Sequence, residues 1–133
     1  MNHLIIGAGP AGVIAAETLR QMGPDQRVTL IGDEPEPPYS RMAIPYFLSS
    51  MIDEAGTELR KTPGHYQDLG INVHHGWVEG ISPNAGNLAL RGGQTVPFDR
   101  LLIATGASAI RPPIEGLDLP GVHSCWTLED ARS

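Results

Sequence analysis

Three short apolar runs stand out in a chain otherwise punctuated by glycine and proline. Leu4-Ile5-Ile6 ends in Gly7, Val28-Thr29-Leu30-Ile31 ends in Gly32, and Leu101-Leu102-Ile103-Ala104 ends in Thr105-Gly106. Runs of this length with little polar alternation are expected of parallel strands buried on both faces. Residues 10–22 predict a helix between the first two. Pro10 suits a first helical turn, Val13, Ile14, Leu19 and Met22 form the apolar stripe, and Gly23-Pro24 stops it. Strand, helix and strand make a β-α-β unit of about 30 residues, for which a right-handed crossover is expected.

The pattern then changes. Residues 32–45 predict a Pro-rich loop, residues 46–61 are weakly helical, and Pro63 to Leu69 predict a short helix ended by Gly70. Trp77 to Ile81, Asn87 to Arg91 and Gln94 to Pro97 predict short strands, separated by Ser82-Pro83-Asn84-Ala85-Gly86 and by Gly92-Gly93. Short strands with turn signals between them indicate a small antiparallel meander. Residues 107–133 are Pro-rich and then polar, as in a connecting segment. The expected fold class is therefore α/β: a parallel sheet plus a small antiparallel meander.

Composition narrows the partners. With 41% hydrophobic and 18% charged residues in 133, the chain is long enough for one domain and ordinary for a folded protein. A net charge of -6 argues against nucleic acid or an anionic membrane as partner. It does not exclude an anionic cofactor, because a helix N-terminus supplies local positive potential. The single cysteine, Cys125, allows no internal disulfide and no CxxC motif, and reads as inert. His65, His74 and His75 have no metal-ligand spacing, so no metal is expected. Met1-Asn2-His3 leads straight into the first strand without the features of a leader, and no apolar run reaches the ~20 residues of a membrane span. The expected location is the cytoplasm.

The candidate chemistry sits where the first strand meets the helix. Gly7-Ala8-Gly9-Pro10-Ala11-Gly12 is a GxGxxG between a strand and a helix, the context in which that pattern binds a dinucleotide. Gly7 allows the tight turn, Gly9 lets backbone approach a pyrophosphate, and Gly12 lets helix and strand pack closely. Pro10 and Ala11 open the helix whose free N–H groups would meet the phosphates. An acid at the end of the second strand should hold a ribose diol. The chain offers Asp33 and Glu34, directly after Gly32, and both stand as candidates.

Two further stretches resemble one family. Phe98-Asp99-Arg100-Leu101-Leu102-Ile103-Ala104-Thr105-Gly106-Ala107 is similar to the (Y/F)D-x-L-h-h-A-T-G-(A/S) motif of the FAD-dependent pyridine nucleotide–disulfide oxidoreductase superfamily. Pro37-Pro38-Tyr39-Ser40-Arg41 resembles the loop of its ferredoxin, rubredoxin and nitrite reductases. Ile44-Pro45-Tyr46-Phe47-Leu48 resembles that of its NADH oxidases and CoA-disulfide reductases. The resemblance runs from Leu4 to Arg132 and implies a Rossmann-like FAD-binding domain that is incomplete relative to the full family fold. In that fold an NAD(P)H-binding domain with its own GxGxxG, a return segment and a C-terminal domain follow. Residues 1–133 are expected to be the N-terminal part of the first domain, with the second dinucleotide-binding domain absent. Such a part is expected to be inactive alone. Its partners would be the remainder of the same flavoprotein or a separate electron acceptor.

The resemblance also implies roles for single residues. Arg41 would pair with the FAD pyrophosphate, or else be a surface arginine. Val78 would contact adenine through its backbone, or else be an ordinary strand residue. Ala104, Thr105 and Gly106 would pass close to the FAD. Met42 falls where NADH oxidases and CoA-disulfide reductases carry a redox cysteine, and a thioether cannot form a thiolate. The implied activity is an NAD(P)H oxidoreductase that passes hydride through FAD to an acceptor without a redox-active disulfide. Two other readings stay open: an NAD-dependent dehydrogenase domain, and a non-catalytic adenine-nucleotide-binding or assembly module. No catalytic side chain is singled out, and Trp77 and Trp126 read as packing residues.

Overall fold

The computed structural model describes residues 1–133. Its centre is a parallel sheet whose two inner strands are the first two apolar runs of the sequence, whereas the third run, at Leu101 to Ile103, is not buried on both faces as expected but forms an edge strand with Leu102 and Ile103 exposed. Strand β1 (Asn2–Ile6) is followed by helix α1 (Pro10–Met22) and strand β2 (Arg27–Gly32). Two short helices, α2 (Ile44–Leu48) and α3 (His65–Asp68), lead to β3 (Ile71–His75). The meander of β4 (Val78–Ser82), β5 (Asn87–Leu90) and β6 (Thr95–Pro97) precedes β7 (Arg100–Ile103), and α4 (Leu128–Arg132) comes last. The parallel sheet has the order β3-β2-β1-β7, and the antiparallel sheet the order β4-β5-β6.

Register explains why the inner strands are apolar over consecutive positions where they are buried. Ile6 lies opposite Ile31 on one side and Ile103 on the other, so the three strands end level. Along β1, Ile5 packs toward α1 with Val13, Ala16, Val28, Leu30 and Ile71, while Leu4 and Ile6 pack under the meander with Ile31, Leu88 and Leu90. Successive side chains of a strand face opposite ways. A strand covered by a helix on one face and a second sheet on the other is therefore apolar where both covers reach it, as at Leu4, Ile5 and Ile6. Asp99 closes the join to β7: its carboxylate accepts from the Asn2 backbone N–H at 2.6 Å, and its own N–H donates to the Asn2 carbonyl at 2.9 Å.

Two further regions are decided by the structure: the sequence pattern assigns no element to residues 71–75 and only weak helix to residues 46–61. Ile71 to His75 form an edge strand of the parallel sheet, with Val28 opposite Ile71 and Gly32 opposite His75. Its exposed outer face leaves a mixed polar pattern that periodicity does not distinguish from loop. Residues 46–61 contain no continuous helix: α2 ends at Leu48, Ser50 has a positive φ of 59°, and residues 54–57 form a single 3-10 turn. That region lacks a periodic apolar stripe to hold a helix against the core. No helix is long and apolar enough to cross a membrane.

Candidate functional site

The level ends of β1, β2 and β7 bring three backbone segments together at one edge of the sheet. The Gly7 N–H donates to the Ile31 carbonyl at 2.8 Å, and the Ala104 N–H to the Ile6 carbonyl at 2.7 Å. The chain order passes from β1 outward to β2 on one side and returns to β7 on the other, so a crevice opens where the order reverses. Gly7 has φ +112°, and a Cβ there would lie 2.1 Å from the Ala104 carbonyl oxygen. A Cβ on Gly12 would lie 1.9 Å from the Gly7 carbonyl oxygen. Both positions are therefore closed to any side chain. Gly9 is different: a Cβ there would meet nothing within 4 Å. Its missing side chain leaves space over the start of α1, which has no side-chain cap.

Two cavities line this edge. One of about 350 Å³ is walled by Gly7, Gly9, Pro10 and Ala11, by Asp33, Glu34 and Arg41, by Ala104, Thr105 and Gly106, and by Met42 and Trp126 among others. The other, about 550 Å³, lies toward the meander and includes Ile6, Asp33, Trp77, Val78, Ile103 and Thr105. Gly7, Asp33 and Thr105 belong to both, so the two form one cleft. Every candidate residue named from the sequence lines it except Gly12, which is buried at the helix–strand contact.

The two acids differ in their surroundings. Glu34 is engaged at both oxygens: Tyr39 Oη donates to one at 2.5 Å, and Arg41 Nη2 pairs with the other at 2.5 Å. The Asp33 side chain has no protein partner; only its backbone carbonyl is used, accepting from His75 Nε2 at 3.1 Å. Arg41 Nη1 also donates to the Trp126 carbonyl at 2.7 Å and to Tyr39 Oη at 3.2 Å, and its guanidinium lies over the Trp126 and Tyr39 rings at 5.2 and 5.7 Å. Tyr39 is 7% exposed, and burial followed by the Glu34 hydrogen bond pushes its hydroxyl above the ordinary tyrosine value. It stays protonated and donates. Tyr39 and Trp126 are thus part of the site although sequence patterning marks neither. Tyr39 sits within the motif that carries Arg41, but Trp126 comes from 85 residues further along.

The family model for pyridine nucleotide-disulphide oxidoreductase matches residues 1–133. Rhodocoxin reductase from Rhodococcus erythropolis is 36% identical over 135 residues, covering 100% of this chain and 31% of that protein. An NADH oxidase from Methanocaldococcus jannaschii is 30% identical over 145 residues, with 100% and 31% covered. A ferredoxin reductase structure from Rhodopseudomonas palustris superposes with a TM-score of 0.89 at 30% identity, covering 98% of this chain and 32% of that one. The chain spans about a third of the length of the curated relatives it matches.

Proposed function

Because the chain belongs to the pyridine nucleotide-disulphide oxidoreductase family, we propose that it forms the FAD-binding part of an NAD(P)H-dependent flavoprotein oxidoreductase. The observation that carries this reading is the open cradle at Gly9, set at the N-terminus of α1 inside a cleft that three strand ends build. The unpaired N–H groups of a helix start favour a diphosphate, and Gly9 lets it come close to backbone.

The rest of the cleft suits the rest of the cofactor. The larger cavity, against Val78, takes the adenosine end. Asp33 is the better ribose ligand of the two acids, since Glu34 is committed to Tyr39 and Arg41. Ala104, Thr105 and Gly106 then border the flavin side, and Arg41 offsets phosphate charge. When bound, FAD would supply the hydride and electron-transfer chemistry. The protein residues bind and orient it. Met42 lines the cleft, where a thioether forms no thiolate, and the exposed Cys125 is not among the residues that line it. Electrons would go directly to a bound acceptor, and the reductases among its relatives favour a small electron-transfer protein. With one fingerprint, residues 1–133 hold one dinucleotide and do not by themselves sustain NAD(P)H turnover.

The test is calorimetric titration of the purified chain with FAD, ADP and NAD⁺, repeated for Gly9→Val. FAD and ADP should compete for one site, and Gly9→Val should weaken both at least about tenfold by steric exclusion, with an unchanged melting temperature. Preference for NAD⁺ over FAD, or unaltered affinity in Gly9→Val, would refute the assignment.

A further inference from the structure

Resting on that reading of the cleft, we infer that Trp126 is a positioning residue for the diphosphate, acting through Arg41. Trp126 is placed rigidly. It immediately precedes Thr127, the N-cap of α4, and the Asp130 carboxylate accepts from the N–H groups of both Trp126 (2.8 Å) and Thr127 (2.9 Å). Leu128, next in the chain, is 2% exposed in a cluster with Tyr39 and Ile44, and its N–H donates to Tyr39 Oη at 3.2 Å. From this anchored position one residue ties down two walls of the cavity. Its carbonyl accepts from Arg41 Nη1 at 2.7 Å, its ring lies under the guanidinium at 5.2 Å, and its indole Nε1–H donates to the Ala107 carbonyl at 3.1 Å.

The consequence is a preorganised cation. An arginine side chain has many rotamers, and holding one of them in advance removes that entropy cost from ligand binding. Three of the five guanidinium N–H groups are used, by Glu34, Tyr39 and the Trp126 carbonyl, which leaves two for an anion in the cavity that Arg41 lines. The flat ring is the part of Trp126 that orients the guanidinium without consuming a donor. The ligand it favours is therefore one with a phosphate, while a nucleoside lacking phosphate gains nothing from it.

The experiment titrates the chain with ADP, FAD and adenosine in unsubstituted form and as Trp126→Leu, Trp126→Phe, Arg41→Ala and the Arg41→Ala/Trp126→Leu double variant. Trp126→Leu should weaken ADP and FAD about tenfold and leave adenosine unchanged. Trp126→Phe keeps a ring face and should recover most of the loss. On the Arg41→Ala background, Trp126→Leu should add little further loss. If Trp126→Leu does not fold, Trp126→Met supplies a flexible, unbranched apolar side chain without the aromatic face and carries the same expectation. Equal weakening of adenosine and ADP, or full additivity in the double variant, overturns the proposal. ADP binding indifferent to Leu and Met at this position overturns it while leaving the cofactor reading intact. Failure of the unsubstituted chain to bind either ADP or FAD overturns both.

Discussion

The cleft has two sides built on different principles. The floor, from β1 through α1 to β2 and across to β7, is made by backbone: Gly7, Gly12 and the level strand ends fix it through steric exclusion and main-chain hydrogen bonds. The outer wall, residues 33–57 with 126–132, is made by side chains. Tyr39, Glu34, Arg41 and Trp126 knit it, and Arg132 bridges Glu36 (2.7 Å) and Glu54 (2.5 Å). Contacts in the floor tolerate almost no change at a few positions. Those in the wall are numerous, partly exposed and individually replaceable.

That contrast can be broken in order of severity. Gly12→Val should be the most damaging, by about 3 kcal/mol or more, because the new side chain meets the Gly7 carbonyl and neither backbone can withdraw. Chemical denaturation measures it; a folded variant of near-normal stability would show that the floor is more pliable than its geometry states. Leu128→Ala should cost about 2–3 kcal/mol by leaving a cavity against Tyr39 and Ile44. Its sharper signature is local. Amide exchange should accelerate in 126–132 and in 38–44 while β1, β2 and β7 keep their protection, and uniform acceleration would mean that floor and wall unfold as one unit.

Tyr39→Phe should cost about 1–2 kcal/mol, since it removes the donor to Glu34 and the acceptor for Leu128 N–H and Arg41. A change below about 0.5 kcal/mol in urea titration would assign the stability of the wall to packing rather than to this network.

The smallest effect is that of acid. The Arg60 guanidinium, with help from His65, holds Glu17 on α1 below the ordinary carboxylate value. The backbone N–H groups of Thr127 and Trp126 do the same to Asp130. Each contributes stability that is complete above the ordinary carboxylate pKa of about 4 and is lost as pH falls through the lowered folded value. Glu17 belongs to the floor and Asp130 to the wall, and Glu17→Gln and Asp130→Asn should each flatten the decline below about pH 5. An acid decline identical in all three chains would rule out both groups as its source.

The sequence alone determined the parts governed by local rules. Apolar runs on both sides of a helix with GxGxxG at the join specify a β-α-β unit, because steric limits on glycine and burial on both strand faces act over a few residues. The turn-separated strands of the meander were legible for the same reason. The tertiary structure decided what depends on distant partners. The edge strand Ile71 to His75 is defined by pairing with β2, and its own pattern is ambiguous. Asp33 and Glu34 are adjacent and chemically alike, yet only the arrival of Tyr39 and Arg41 occupies one of them. Trp126 entered the site through a hydrogen bond and a ring contact to Arg41, 85 residues away in sequence. No local pattern encodes such a contact: it is a property of where the chain returns, and that is set by the sum of packing across the whole fold.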